Sequence, residues 1–323
     1  MLAQRIVDTL RFFDLQQLPL TSFEIHKYLI AETTNLKTKL DGRYELSPSS
    51  ASVASSSVTP PLVVHFDTIL TQLHILVREE KIKTDKGFYC LPGREQLIND
   101  RLQNYLHGIK REKLVRRYLK RARHIPFVRG IALAGSQALG QQRATSDIDL
   151  LVITEPNFLG LTRLFLTVYF QIFGIRRHGK KISNRFCLNH YLAGTRALDT
   201  DRNLYTAFEY LKLRPVVYGK TMQKFVDANS QWIQTFFPNA SELKIKPVGQ
   251  PQSKIQKFLE QLFNNKFGLW IEKKILAMQL ARIKKEEFSI SNEHELSFHP
   301  NNRKQKLFAA FFEHQQLHHR KTE

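Results

Sequence analysis

Two short segments of the chain combine residue types that support chemistry on phosphates. Gly135-Ser136 ends one apolar run, and Asp147 and Asp149 open the next apolar run after a polar spacer. Alternate side chains of a strand point to the same face, so the two carboxylates should lie together and offer oxygen ligands for Mg²⁺ or Mn²⁺. The glycine and serine stand where a strand turns into a helix, and free backbone N–H groups there can hold a phosphate. A phosphate cradle beside a divalent-metal site suits phosphoryl or nucleotidyl transfer.

The order Gly-Ser, spacer, Asp-x-Asp resembles the signature of the polymerase-β-like nucleotidyltransferase superfamily, and the close match covers about residues 125–155. The resemblance implies an α+β fold whose core is a mixed sheet with helices. It also implies transfer of a nucleoside monophosphate from a nucleoside triphosphate (NTP) to an acceptor hydroxyl, with pyrophosphate leaving. The chain further resembles bacterial and archaeal proteins described only as nucleotidyltransferase-domain proteins, through Phe186–Leu192, Tyr205–Tyr210, Leu213–Gly219 and Phe298–Pro300.

This resemblance assigns roles to individual residues. Asp147 and Asp149 would hold Mg²⁺ or Mn²⁺ and act in catalysis. The residues expected to bind the nucleotide are Gly135, Ser136, Ser146, Lys180 and Lys181. An ordinary turn explains Ser146 at least as well, and a solvated loop explains the two lysines equally well.

The superfamily commonly adds a third carboxylate on a later strand, and this chain has Asn189 where we expect it. An amide oxygen can bind a metal, but it is a poor general base. Three interpretations stay open: Glu209 of the following helix replaces the acid, Asn189 suffices with one dominant metal, or the core has lost activity and only binds nucleotide. In the last case the protein would be a nucleotide-responsive, DNA-binding regulator. Strand alternation predicts that His190 faces away from Asn189 and is a core or supporting residue.

The composition favours a polyanionic partner. Lys and Arg number 49 against 29 Asp and Glu, which makes the formal net charge +20 and points to a nucleic acid, with RNA favoured. Many of these cations lie in a predicted helix at about 101–123, which either binds nucleic acid or is a solvated connection. The two cysteines indicate neither a zinc site nor a disulfide framework, and the N-terminus lacks a signal-peptide layout. A cytoplasmic location is therefore expected.

The predicted organisation has five parts. Residues 1–95 resemble a winged-helix domain that binds nucleic acid or a protein partner, with a disordered Ser-rich insertion at about 35–61. The other parts are a basic linker helix (96–124), the nucleotidyltransferase core (125–220), a C-terminal helical region (221–312) and a polar tail (313–323). The apolar segment 158–175 is expected to be a buried crossover helix and not a membrane span.

Overall fold

The computed structural model describes residues 1–31, 63–197, 202–242, 252–283, 290–297 and 311. The Ser-rich insertion, the polar tail and Phe298–Pro300 lie outside the described residues. The described helices are α1 (Leu2–Asp14), α2 (Ser22–Lys27), α3 (Phe66–Arg78), α4 (Gln96–Ala122), α5 (Gly135–Ala138), α6 (Leu159–Ile172), α7 (Leu204–Leu211), α8 (Gly219–Phe236), α9 (Lys254–Phe263) and α10 (Lys266–Ile283). The strands are β1 (Leu20–Thr21), β2 (Lys83–Asp85), β3 (Phe88–Cys90), β4 (Val128–Leu133), β5 (Ile148–Thr154), β6 (Phe186–Ala193), β7 (Arg214–Val217), β8 (Ile290–Ser291) and β9 (Glu295–Ser297).

The N-terminal part contains three helices and a small sheet of order β1-β3-β2. A capping box starts α2: the Thr21 hydroxyl accepts from the Glu24 backbone N–H, and the Glu24 carboxylate accepts from the Thr21 N–H at 2.9 Å. The β2–β3 hairpin turns at Lys86 and Gly87, which both have positive φ. Strand β1, which pairs with β3, was not predicted. The winged-helix assignment itself stays a prediction.

The larger sheet has six strands in the order β7-β4-β5-β6-β9-β8. Among these described strands β5 and β6 pair in parallel, and the other neighbours pair antiparallel. The predicted mixed sheet with helices is therefore confirmed. Helix α6 connects the two parallel strands, which accounts for the apolar segment 158–175. Of the helices that the structure describes, none has both the length and the apolar character needed to cross a membrane.

The region 221–312 is not helical throughout, which corrects the prediction. Strands β8 and β9 lie in it, and β9 pairs with β6, so the sheet of the core includes residues well beyond 220. The helical part that follows residue 253 is also divided, into α9 and α10. The division occurs at Asn264-Asn265, where the Asn265 side chain accepts a hydrogen bond from the Gly268 N–H at 2.8 Å and so caps a new helix start.

The six-stranded sheet separates two hydrophobic layers. Ile148, Leu150 and Val152 of β5 pack on the side that holds α6 and the C-terminal half of α4. Leu151 and Ile153 pack on the opposite side, with α7 and α8. This alternation follows from the two-residue period of a strand, and it places Asp149 on the same face as Leu151.

The N-terminal part joins that second layer directly. The ring of Phe208 in α7 meets the rings of Phe13 and Tyr28 edge-on, at centroid distances of 4.7 and 5.2 Å. The backbone of Val64 exchanges two hydrogen bonds of 2.9 Å with the side chain of Asn239. One continuous hydrophobic cluster therefore extends from α1 to α8, across the boundary that the sequence analysis placed near residue 95.

Candidate active site

The two predicted motifs meet at one end of the central sheet. Strand β4 ends just before Gly135-Ser136, and the Ala134 N–H donates to the backbone carbonyl of Asp149 at 3.0 Å. Gly135 has φ of +58°, and a Cβ atom built on it would lie 2.3 Å from the Asp149 Oδ2. Only glycine leaves room for this contact, because any other side chain would push the carboxylate aside.

Both motifs line a cavity of about 1040 Å³ on the face of the sheet that carries α7. Other walls come from the segment Leu15–Leu18 of the N-terminal part and from Tyr210 and Leu213. Six of the predicted site residues line this cavity: Gly135, Ser136, Ser146, Asp147, Asp149 and Glu209. The side chain of Asn189 lies outside the described part of the structure.

The two carboxylates lie close to further charged groups of both signs. Burial, together with the nearby Asp147 and Glu209 carboxylates, raises the pKa of Asp149 to about 6, against the opposing charges of Lys212 and Arg177. The ligand atoms of Asp147, Asp149 and Cys187 all lie within 4.8 Å of one another. Two converging carboxylates fit a divalent cation such as Mg²⁺ or Mn²⁺, since a positive charge there would relieve their repulsion.

The residue of β6 that pairs with Asp149 is Cys187, and Asn189 lies two positions further along this strand. The register shifts directly afterwards, so that Leu151 pairs with His190. Strand β6 thus takes three steps where β5 takes two, and the extra residue places Cys187 and His190 on the same side. Sequence alternation alone could not reveal this bulge, because it depends on pairing between distant segments.

Residues 112–186 match the family model of the nucleotidyltransferase domain. The matched segment begins in α4, contains both motifs and α6, and ends at the first residue of β6. The mixed sheet around it is consistent with the polymerase-β-like fold that the motif resembles. No curated protein and no solved structure matches the chain.

Within the nucleotidyltransferase domain, the predicted lysines do not reach the cavity. Lys180 and Lys181 are exposed at the turn of the loop between α6 and β6, beside Gly179 with φ of +52°. The residues of this loop that line the cavity include Arg176 and Arg177. Arg176 and Arg177 are therefore better candidates for phosphate contacts than Lys180 and Lys181. The sequence could not indicate this, because it does not show the path of the loop.

The Arg177 guanidinium contacts both the Asp147 carboxylate and the Cys187 thiol. Its Nη1 donates to the Asp147 Oδ2 at 2.7 Å and to the Cys187 Sγ at 3.3 Å. Burial opposes the charge of Arg177, but the Cys187 thiol and the two aspartates outweigh it and raise its pKa. Sequence analysis missed this residue.

Glu209 and His190 bring two further proton-accepting groups to the cavity. Glu209 projects from α7, forms an ion pair with Lys212, and contributes to the raised pKa of Asp149. His190 Nε2 lies 3.0 Å from the Glu295 Oε1 of β9, and both side chains line the cavity. Strand alternation predicts a core or supporting role for His190, and the bulge places its side chain at the wall of the cavity.

A buried arginine of α4 holds the loop that carries Asp147. Arg111 donates to the Gln142 Oε1 and to the Ala144 carbonyl, each at 2.6 Å. The Gln142 side chain in turn donates to the backbone carbonyl of Asp147 at 2.8 Å. The sequence analysis counted Arg111 among the surface cations of this helix, whereas the structure gives it a positioning role.

Proposed function

We propose that the protein transfers a nucleoside monophosphate from an NTP to an acceptor hydroxyl and releases pyrophosphate. The observation that carries the proposal is the close contact between the Gly135 backbone and the Asp149 carboxylate inside a nucleotidyltransferase domain. This contact joins a phosphate-binding turn to a carboxylate pair in a cavity that is large enough for a nucleotide.

The residues of the chain divide the work as follows. The Gly135 and Ser136 N–H groups and the Ser136 hydroxyl bind the triphosphate, and Asp147 and Asp149 hold Mg²⁺ or Mn²⁺. When bound there, the divalent cation neutralises charge on the phosphates. Gln142 and its partners in α4 keep the Asp147 loop in position for this task.

The proton of the attacking hydroxyl needs an acceptor. We assign this role to the Glu209 carboxylate, because it lies close enough to Asp149 to affect its pKa. The imidazole of His190, oriented by Glu295, is the alternative, since a base held by a second carboxylate is a common arrangement in active sites. Asn189 remains a candidate metal ligand from the sequence analysis.

RNA is the proposed acceptor, with another protein as the alternative. The formal net charge of +20 supports a polyanion. Helix α4 contributes exposed cations beside the nucleotidyltransferase domain, namely Lys110, Lys113, Arg116, Arg117, Lys120 and Arg121. The winged-helix-like N-terminal part would position the acceptor, and we place the activity in the cytoplasm.

One observation favours a second function. Cys187 stands opposite Asp149 on β6, where a thiol cannot replace a carboxylate as a ligand for Mg²⁺. The alternative is therefore a nucleotide-binding regulator that contacts DNA and has a weakened transferase core.

A labelling experiment tests the proposal. Full-length protein is incubated with Mg²⁺ or Mn²⁺, each α-³²P-labelled NTP, and total cellular RNA and protein. We compare wild type, Asp147→Ala/Asp149→Ala, and a control that removes two exposed acids, Asp100→Ala/Asp227→Ala. Label on RNA with wild type and control, but not with the site variant, would support transfer to RNA.

The other outcomes are equally informative. Label on protein instead of RNA would support transfer and change the acceptor. Binding of the NTP without any label would favour the regulator. Equal labelling by wild type and the Asp147/Asp149 variant would show that the catalytic site is elsewhere.

A further inference from the structure

We infer that Arg177 alternates between two partners: the Asp147 and Cys187 side chains that it contacts here, and the triphosphate of the bound nucleotide. Arg177 competes with a divalent cation for the Asp147 carboxylate. When the cation displaces its guanidinium from Asp147, the guanidinium binds the phosphates instead. The inference rests on the proposed function, because it assumes that Asp147 and Asp149 hold the metal.

The first partner is given by the geometry. Arg177 Nη1 contacts the Asp147 Oδ2 at 2.7 Å and the Cys187 Sγ at 3.3 Å. These two atoms belong to side chains that converge with Asp149 to within 4.8 Å, so the guanidinium points at the centre of the candidate metal site. A guanidinium and a divalent cation at the same carboxylate repel each other, and binding of one therefore weakens binding of the other.

The backbone of Arg177 is anchored, whereas its side chain has room to turn. Its N–H donates to the Phe186 carbonyl at 2.9 Å, and the adjacent Arg176 forms a bridge with the same residue. The Arg177 side chain is 43% exposed, although its guanidinium contacts Asp147. A long side chain on a fixed and partly open position can exchange one contact for another without movement of the loop.

The second partner follows from the position of Arg177 in the cavity. Gly135 and Ser136, which are proposed to bind the triphosphate, line the same cavity as Arg177. A guanidinium forms planar hydrogen-bonded pairs with phosphate as readily as with a carboxylate. Release from Asp147 would thus bring a positive charge to the triphosphate as its metal complex enters.

A simple structural ion pair would behave differently. An ion pair that only stabilises the loop would contribute little to the stability of the protein. Its removal would lower the affinities for Mn²⁺ and for the nucleotide together, or leave both unchanged. The alternation predicts opposite changes for the metal alone and for the metal–nucleotide complex. This opposition is the property that the experiment measures.

The experiment uses the full chain after treatment with EDTA. Binding of Mn²⁺ alone is followed by electron paramagnetic resonance, and binding of α,β-methylene-ATP with saturating Mn²⁺ is followed by calorimetry. For Arg177→Ala we expect Mn²⁺ alone to bind about three- to tenfold more tightly, and the nucleotide to bind about three- to tenfold more weakly. Arg177→Lys keeps the charge and should shift both affinities less.

A matched control is Arg185→Ala, which removes an arginine from the same loop outside the residues that line the cavity. It should leave both affinities unchanged. Unchanged or weaker Mn²⁺ binding by Arg177→Ala would overturn the competition, and unchanged nucleotide binding would overturn the phosphate contact. If Arg177→Ala does not fold, as judged by circular dichroism, the same comparison is made with Arg177→Gln.

Failure of the proposed function has a different signature. In that case Asp147→Ala/Asp149→Ala would bind Mn²⁺ and the nucleotide as wild type does. If this double variant loses Mn²⁺ binding while Arg177→Ala equals wild type, the metal site stands and only the role of Arg177 is wrong.

Discussion

Gly135 is the residue at which backbone conformation and site chemistry constrain each other most directly. Its positive φ lets the chain turn sharply after β4, and its missing side chain lets the turn approach Asp149. The phosphate-binding turn and the carboxylate therefore cannot be altered independently.

Gly135→Ala should impair the metal site more than the fold. The added Cβ would lie 2.3 Å from the Asp149 Oδ2, so the carboxylate must turn away, and we expect Mn²⁺ affinity to fall by at least about tenfold. The positive φ should cost only about 1–2 kcal/mol of stability. Calorimetry and urea unfolding measure the two effects.

Gly87→Ala serves as the control for backbone strain. Gly87 also has positive φ, and a Cβ on it would meet nothing within 4 Å. Its stability should therefore fall by a similar amount with no change in Mn²⁺ affinity. Equal losses of Mn²⁺ affinity in both variants would contradict the assigned contact.

The residues of the site could be predicted only where a short stretch of chain determines their arrangement. Gly135 and Asp149 stand 14 positions apart, the first just after β4 and the second in its antiparallel neighbour β5, and a two-residue period places Asp147 and Asp149 together. Cys187, His190 and Glu295 reach the cavity through a bulge and a distant strand pairing. Such pairings depend on long-range packing, which leaves no periodic signal in one sequence.

At the scale of elements, α4 connects the two ends of the molecule and positions the Asp147 loop. Its C-terminal half packs under the sheet, and its Gly108 packs so tightly against Gly140 that a Cβ there would lie 2.8 Å from the Gly140 carbonyl oxygen. Arg111 reaches from the same helix into that loop. The helix thus does more than link two domains.

Arg111→Ala should destabilise the protein and weaken metal binding together. The buried Gln142 amide oxygen would lose its donor, at a cost of about 1–3 kcal/mol if water does not replace it, whereas the Ala144 carbonyl keeps the Ser183 hydroxyl as a donor. Without this support the Asp147 loop becomes less ordered, so Mn²⁺ affinity should also fall. Urea unfolding and electron paramagnetic resonance measure both effects.

Lys110→Ala removes the neighbouring, exposed cation of α4 and is the matched control. Both stability and Mn²⁺ affinity should stay near those of wild type. If Arg111→Ala behaves like Lys110→Ala, the hydrogen bonds of Arg111 do not position the loop.

The sequence predicts helices and strands that are determined by residues close together in the chain. It does not predict strands that form only by pairing with a distant strand. The capping box fixes the start of α2, and a mostly apolar run identifies α6. Strands β8 and β9 contain only two and three residues, and they are strands only because β6 offers an edge for pairing. Asn265 could have been read as a helix cap, but it stands within an otherwise helical pattern.

At the scale of the whole molecule, the N-terminal part and the six-stranded sheet with its helices share one hydrophobic layer. The apolar pattern of α1 indicates that Phe13 is buried, but it cannot show that its partner is Phe208, almost two hundred positions later. This limitation explains why the sequence analysis divided the chain near residue 95. The cavity depends on both sides of that division, since Leu15 and Leu18 form part of its wall.

Phe208→Ala should therefore destabilise both parts at once. Loss of a fully buried ring that meets Phe13 and Tyr28 should cost about 3–5 kcal/mol. Circular dichroism and tryptophan fluorescence should report one common unfolding transition, shifted to lower urea. Phe23→Ala, at a ring that is 71% exposed, should shift it little. Two separate transitions, with only one of them affected by Phe208→Ala, would contradict the shared core.

The pairing of β6 with β9 has a consequence for the order in which the chain is synthesised. His190 and Glu295, which meet across these strands, are separated by 105 positions. At about 5–20 residues per second, the ribosome needs roughly 5–20 s to add the segment that covers this strand edge. During that interval the growing chain exposes unpaired N–H and C=O groups beside an apolar sheet, a surface prone to association with other chains. A chaperone that binds nascent chains would have its main period of action here.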